Sequence, residues 1–222
     1  MKNFTGLTCC GEERKEQLKE LCAGLGITMH HYELLNLALT HTSFAHETPH
    51  YPHNEHNERL EFLGDSVLGL IVSTYMFENF PHFDEGRMTK LRAQVVCEAS
   101  LYQCAKRIGL GDYLRMGNGE LSSGGNKRPS ILADAFEAVL GAYYLDQGFA
   151  AAQQYLLGLL NEACPNFVPE EKRSYKKKTP EEKAASAEKK AAKKTAKPSA
   201  KTPAKSTAKK SAAKKTTKKT EQ

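Results

Sequence analysis

At 222 residues the chain has room for one or two domains, and its overall charge of +6 hides an uneven division. Residues 1–171 carry 13 Lys and Arg against 22 Asp and Glu, a net of −9, whereas residues 172–222 carry 19 against 4, a net of +15. No apolar run reaches the roughly 18 residues of a membrane helix, and acidic residues closely follow the polar N-terminus, so neither a spanning segment nor a secretory leader is expected and a cytoplasmic setting is.

The hydrophobic periodicity reads as helix along most of the body. Glu12–Leu25 is an amphipathic helix ending near Gly24 and Gly26, and Tyr32–Leu39 is a short second one. His41–Asn54 is polar, broken by Pro49 and Pro52, and is expected to be a loop. Glu55–Phe80 is long and periodic until Pro81 stops it, and Glu85–Ile108 is a further long helix closed by Gly109 and Gly111. Tyr113–Pro129, with Gly117, Gly119, Gly124 and Gly125, is a connector; Ser130–Asp146 and Phe149–Ala163 are the last helices, on either side of Gly148. No alternating strand pattern appears. The expected fold class is all-α, with about 150 residues sharing one core.

The expected boundaries are an N-terminal extension over 1–13, a helical domain over 14–165, and a Lys/Ala-rich segment over 166–222. That last segment has too little apolar surface to offset chain entropy and is expected to be disordered when alone. Six cysteines at 9, 10, 22, 97, 104 and 164 make no paired Cys-x-x-Cys pattern, so zinc ribbons are not indicated. Cys22, Cys97 and Cys104 fall within apolar helical patterns and read as small buried side chains. Nothing in the sequence accounts for the adjacent Cys9 and Cys10.

Chemistry concentrates in two acidic stripes. Glu58, Glu61 and Asp65 stand at i, i+3 and i+7, within about 60° of one helix face, with Leu60, Leu63 and Val67 opposite. Asp134 and Glu137 repeat the i, i+3 spacing, with Phe136, Val139, Leu140 and Tyr143 on the other side, and Gly141 on the acidic face predicts a close helix approach. Like charges on one stripe repel, so two such helices facing each other would favour a hard divalent cation, Mg²⁺ or Mn²⁺. Periodicity alone leaves two readings open: ordinary solvated faces, or a metal site.

The decapeptide Asn57–Ser66, NERLEFLGDS, resembles the signature helix of ribonuclease III endonucleases. His41-Thr42-Ser43, DEGRMTKLR over 84–92, GLGDYL over 109–114 and GGNKRPSILADAFEAVLGAYYLDQG over 124–148 resemble further blocks of that family in the same order. The resemblance covers roughly residues 14–164 and implies the family's helical endonuclease fold. It implies that Glu61, Asp65, Asp134 and Glu137 ligate a divalent metal. Asp65 and Glu137 would be central to catalysis, and Glu58 and Glu85 would have roles near the cut. It also implies a homodimer in which Phe62, awkwardly placed on the acidic side, is a dimer contact. The substrate implied is double-stranded RNA, in ribosomal or messenger precursors, cut to 5′-phosphate and 3′-hydroxyl ends.

The chain departs from common bacterial members after Cys164. The residues that follow lack the apolar content of a double-stranded-RNA-binding domain, and the basic segment is the expected substitute, contacting RNA phosphates through counterion release. In the body, Lys127, Arg128, Lys90 and Arg92 are the candidates for phosphate contact. His41, His46, His50, His53 and His56 crowd one segment, but no carboxylate or cysteine shares their spacing, and they read as polar loop side chains. Two competing functions are weighed. A non-catalytic RNA-binding relative would be expected to have lost acidic positions, and all six are filled. A helical phosphohydrolase for small substrates would need His-Asp pairs that the acidic helices lack.

Overall fold

The computed structural model describes residues 6–163 and Phe167, all within the first of the two units into which the chain divides, Met1–Arg173 and Ser174–Gln222. The helices are α1 (Glu12–Leu25), α2 (Tyr32–Ala38), α3 (Thr42–Glu47), α4 (Glu58–Asn79), α5 (Glu85–Val95), α6 (Glu98–Arg107), α7 (Asn118–Ser122), α8 (Pro129–Gln147) and α9 (Phe149–Ala163). Among the described residues the only extended pairing is an isolated bridge between Thr40 and Arg115, so the described body is all-α.

The core is organised around α8, which packs on α4 most extensively and also on α6, α2 and α9. From Ile131 to Tyr143 every residue of α8 is buried except Asp134 and Glu137. Proline at its first position costs nothing there, because that N–H has no helical partner in any case. In α4 the buried residues Leu60, Gly64, Val67, Leu68, Ile71, Val72 and Met76 recur every three or four positions and form the stripe that meets α8. Among the described residues α4 is the one helix long and apolar enough to cross a membrane, but here that stripe is core.

The far end of α8 is tied to the start of α2 by one buried carboxylate. Asp146 accepts hydrogen bonds from the His30 and His31 amides at 2.7 and 2.9 Å, from the His31 ring at 2.7 Å and from Gln147 at 2.8 Å. Burial works to raise its pKa, yet these donors outweigh burial and hold it below the usual carboxylate value.

The structure departs from the sequence expectations at five places. The expected helix over 85–108 is two helices, α5 and α6. Ser100 Oγ donates to the Gln94 carbonyl at 2.8 Å and Cys97 Sγ donates to the same oxygen at 3.3 Å, while Cys97 is extended (φ −74°, ψ 155°). These local side-chain bonds compete with the helical ladder and break it. Cys97 is consequently exposed, whereas Cys22 and Cys104 are buried as expected. The expected loop over 41–54 contains α3, started by the His41 ring accepting the Ser43 amide at 3.2 Å. The connector over 113–129 holds α7 and the short 3₁₀ turn Gly125–Lys127. Lastly, Phe167 is fully buried, its ring 4.6 Å from that of Tyr75, so the packed body extends past the expected boundary at 165. The disorder expected over 166–222 falls, apart from Phe167, on residues outside the described ones.

Candidate active site

Two glycines set the distance between the acidic helices. A Cβ on Gly64 would collide with the backbone of Glu137, and a Cβ on Gly141 would collide with the Leu60 carbonyl and stand 3.1 Å from the Gly64 nitrogen. Backbone therefore meets backbone at the α4–α8 crossing, which is the close approach expected of Gly141. The crossing lies between Glu61 and Asp65 on one helix and beside Glu137 on the other.

The carboxylates answer to one another's charge. Glu137 is pushed up to about 7, first by burial and then by Asp65, Glu61 and Asp134. Glu61 is raised by burial, then by Asp134, Glu58 and Asp65. Asp134 is raised by burial and then by Glu98, with His41 pulling the other way. Among the described residues, no Lys or Arg forms an ion pair with Glu61, Asp65, Asp134 or Glu137. Between Ile131 and Tyr143 a helix that reaches solvent only through two carboxylates, facing two more, is not an ordinary solvated face.

This uncompensated set of hard oxygen donors fits a divalent cation of the Mg²⁺ or Mn²⁺ kind. The donors are nevertheless not drawn together into a closed cage: among the described residues, no three His, Cys, Asp or Glu side chains stand grouped as a metal site.

The other expected residues are placed as follows. Glu58 is exposed on the first turn of α4, 3.8 Å from the His56 ring, and neighbours Glu61. Glu85 stands apart from the four. It opens α5, accepts a hydrogen bond from Thr89 at 3.0 Å, and lines a cleft with Ser73, Phe77 and Arg92, about two to three turns along α4 from Asp65. Lys90 and Lys127 are exposed. Arg92 donates to Ser73 Oγ at 3.1 Å, and Arg128 is engaged with Glu120 at 2.8 Å and Ser123 at 3.1 Å. Phe62 is 78% exposed, on an α4 flank that also leaves Leu70 and Phe77 in solvent.

Two groups at the site were missed. Glu98 loads charge onto Asp134 from the start of α6, and reading 85–108 as unbroken helix hid that position. His41 faces Glu58, Asp134, Glu120 and Arg128; burial is the largest influence on it and lowers its pKa despite the three carboxylates. Its block, His41-Thr42-Ser43, was quoted for resemblance, but nothing in the spacing pointed at the acidic helices. His46 and His53 make local contacts only: they stack at 5.4 Å, and the His53 ring bonds the Ala45 carbonyl at 3.1 Å.

Comparison with known proteins agrees with this arrangement. The Ribonuclease-III-like family model matches residues 31–163, a span that includes both acidic helices. Ribonuclease 3 of Geobacillus sp. (strain WCH70) is 50% identical over 145 residues, 65% of this chain and 58% of that protein. Ribonuclease 3 of Heliobacterium modesticaldum is 48% identical over 147 residues, 66% of this chain and 62% of that one. The chain thus spans less than two thirds of the length of these relatives. The solved nuclease domain of ribonuclease III from Campylobacter jejuni, described as flexible in a region involved in dimer formation, is 41% identical. The match covers 67% of this chain and 99% of that domain, with a TM-score of 0.61. A helical body of this topology, with its acidic pairs on the two helices that cross at Gly64 and Gly141, belongs to the ribonuclease-III-like family.

Proposed function

We propose that this chain is an endoribonuclease that hydrolyses phosphodiester bonds of double-stranded RNA with Mg²⁺, or Mn²⁺ in its place, leaving 5′-phosphate and 3′-hydroxyl ends. The observation that carries the reading is the backbone-to-backbone crossing of α4 and α8, which sets Glu61 and Asp65 across from Asp134 and Glu137 with no Lys or Arg ion-paired to any of the four among the described residues. A divalent ion bound there would make attacking water more acidic and stabilise charge on the scissile phosphate and the leaving 3′-oxygen.

The chain's own residues divide the remaining work. Glu61, Asp65, Asp134 and Glu137 would hold the ion, and their shared negative potential keeps a phosphate out until a cation is present. Glu58 supports the stripe from one turn away, and Glu98 and His41 tune Asp134 from the side. Lys127 and Lys90, both exposed, would meet backbone phosphate. Arg128 and Arg92 would first have to leave Glu120 and Ser73.

A homodimer is part of the proposal. Phe62, Leu70 and Phe77 expose apolar surface along one flank of α4, which a second copy would cover, and Glu85 lines the same flank at Phe77. The basic segment of residues 172–222, net +15, would add sequence-independent affinity for RNA phosphate. Processing of structured ribosomal or messenger precursors is the task that fits such a cutter. The test is incubation of the full chain with a perfect RNA duplex: cleavage with Mg²⁺ and none with EDTA is expected. Duplex binding at low salt without cutting would refute the enzyme reading.

A further inference from the structure

Away from the carboxylate site lies a cleft of about 500 Å³ where two arginines converge. Arg14 of α1 and Arg115, just before α7, both reach the side-chain oxygen of Asn36, at 3.1 Å and at a long 3.5 Å. Asn36 is itself buried, 2% exposed, and so holds the two guanidiniums to one place. The other partners of Arg14 are neutral: the Tyr113 carbonyl at 2.7 Å and Gln17 at 3.2 Å. Arg115 is stacked on Phe44, its guanidinium carbon 3.9 Å from the ring centre, and faces Tyr51 at 5.2 Å. Among the described residues neither arginine has a carboxylate partner, although this part of the chain holds 22 acidic residues against 13 basic ones.

Two half-buried like charges without a counter-ion are unfavourable in isolation. The cost registers on Arg14, whose pKa is lowered to about 10, first by burial and then by Arg115. A second feature converges on the same cleft. Gly11, at the N-terminal cap of α1, lines it, and that helix start has no side-chain cap, which leaves its first amides as donors in search of an acceptor, with Glu12 and Glu13 in the same turn. Glu13 and Asp112 line the same cleft and limit how much negative charge it accepts.

We propose that this cleft binds the phosphate group of a nucleotide-sized ligand. Arg14 and Arg115 would take the phosphate oxygens in charge-assisted pairs, the α1 amides would supply further donors, and Tyr51 would flank the attached group. The volume exceeds the needs of a bare phosphate, which is why a nucleotide is named. Two sources share this chemistry: a free mononucleotide, and the phosphorylated end of an RNA strand. The cleft uses none of the residues assigned to cutting, so the proposal stands apart from the endonuclease reading.

The experiment is isothermal titration of the full chain, in EDTA, with inorganic phosphate, with AMP, and with a short RNA duplex bearing either a 5′-phosphate or a 5′-hydroxyl. The same series is run on Arg115→Gln and Arg115→Lys, with circular dichroism to show that both fold. Arg14 is left intact because its bond to the Tyr113 carbonyl is structural. A free nucleotide source predicts saturable AMP binding that weakens about tenfold in Arg115→Gln and is largely kept in Arg115→Lys. A strand-end source predicts instead that the 5′-phosphorylated duplex outbinds the 5′-hydroxyl duplex, and that only the wild type and Arg115→Lys show the difference. Equal affinity of wild type and Arg115→Gln for every probe, as binding through the basic segment alone would give, overturns the proposal.

Discussion

Gly64 and Gly141 face each other across one helix crossing, and neither has room for a single extra carbon: the Glu137 backbone fills the place at Gly64, and the Leu60 carbonyl, with the Gly64 nitrogen 3.1 Å away, fills it at Gly141. The separation of the acidic helices, and with it the field that Glu137 experiences, follows from that contact. Alanine is a better helix former than glycine by up to about 1 kcal/mol, so each substitution would stabilise an isolated helix. In the folded chain the collision with rigid backbone outweighs that gain. Gly64→Ala and Gly141→Ala are expected to lose about 1–3 kcal/mol or more in urea denaturation. Stability equal to wild type would mean that the helices do not meet here.

The shift on Glu137 gives a pH dependence whose sign is fixed. Its folded pKa, about 7, lies above its ordinary value of 4.5, so the folded state holds the proton more tightly than the unfolded chain. The contribution to stability is full below pH 4.5 and is lost as pH rises through about 7. In EDTA, the melting temperature of wild type should fall over that window more than that of Glu137→Gln. Divalent cation should raise melting temperature more above pH 7 than below it, because only the ionised carboxylates bind it. Parallel pH profiles for the two proteins would contradict the coupling.

Asp146 makes the opposite case, a carboxylate held low by its donors. Removing it leaves the His30 and His31 amides without their acceptor at the α8–α2 junction. Asp146→Ala is expected to cost about 3 kcal/mol, with cleavage by the folded fraction unchanged because the residue is far along α8 from Glu137. Because its folded pKa is depressed, its contribution is present above about 3.8 and fades as pH falls.

The exposed flank of α4 is tested through the residue that is awkward there. Phe62→Ser removes an aromatic ring that is 78% exposed, so the folding stability of a single copy should hardly change. Light scattering after gel filtration should then show the dimer of the wild type replaced by monomer, or a markedly weakened dimer. A monomeric wild type would contradict the assignment of this flank.

The parts of this molecule that could be read from sequence are those where one residue type has few alternative uses. The i, i+4 spacing of Glu61 and Asp65, and the i, i+3 spacing of Asp134 and Glu137, placed four carboxylates on two faces, and Gly141 announced the close approach. Gly64 carries the same information and went unread, since a glycine beside an acidic signature has many explanations. The break at Cys97 was not legible because no glycine or proline marks it. It depends on Ser100 and Cys97 capturing the Gln94 carbonyl, a choice made only once α6 has a core to pack against. Glu98 and His41 were missed for a related reason: their link to Asp134 crosses from one element to another, and periodicity reports only on neighbours within one. The engagement of Arg128 by Glu120 likewise joins two turns that the connector's glycines left unspecified.

The most direct test of the central claim is cleavage of a perfect RNA duplex by Glu137→Gln and Asp65→Asn beside wild type, each in Mg²⁺ at low salt, with duplex binding measured in parallel. If these carboxylates hold the cation that performs the cut, both variants should lose about a hundredfold or more in kcat while binding duplex as tightly as wild type, or more tightly for the lost negative charge. Cleavage at wild-type rate by either variant would contradict the account.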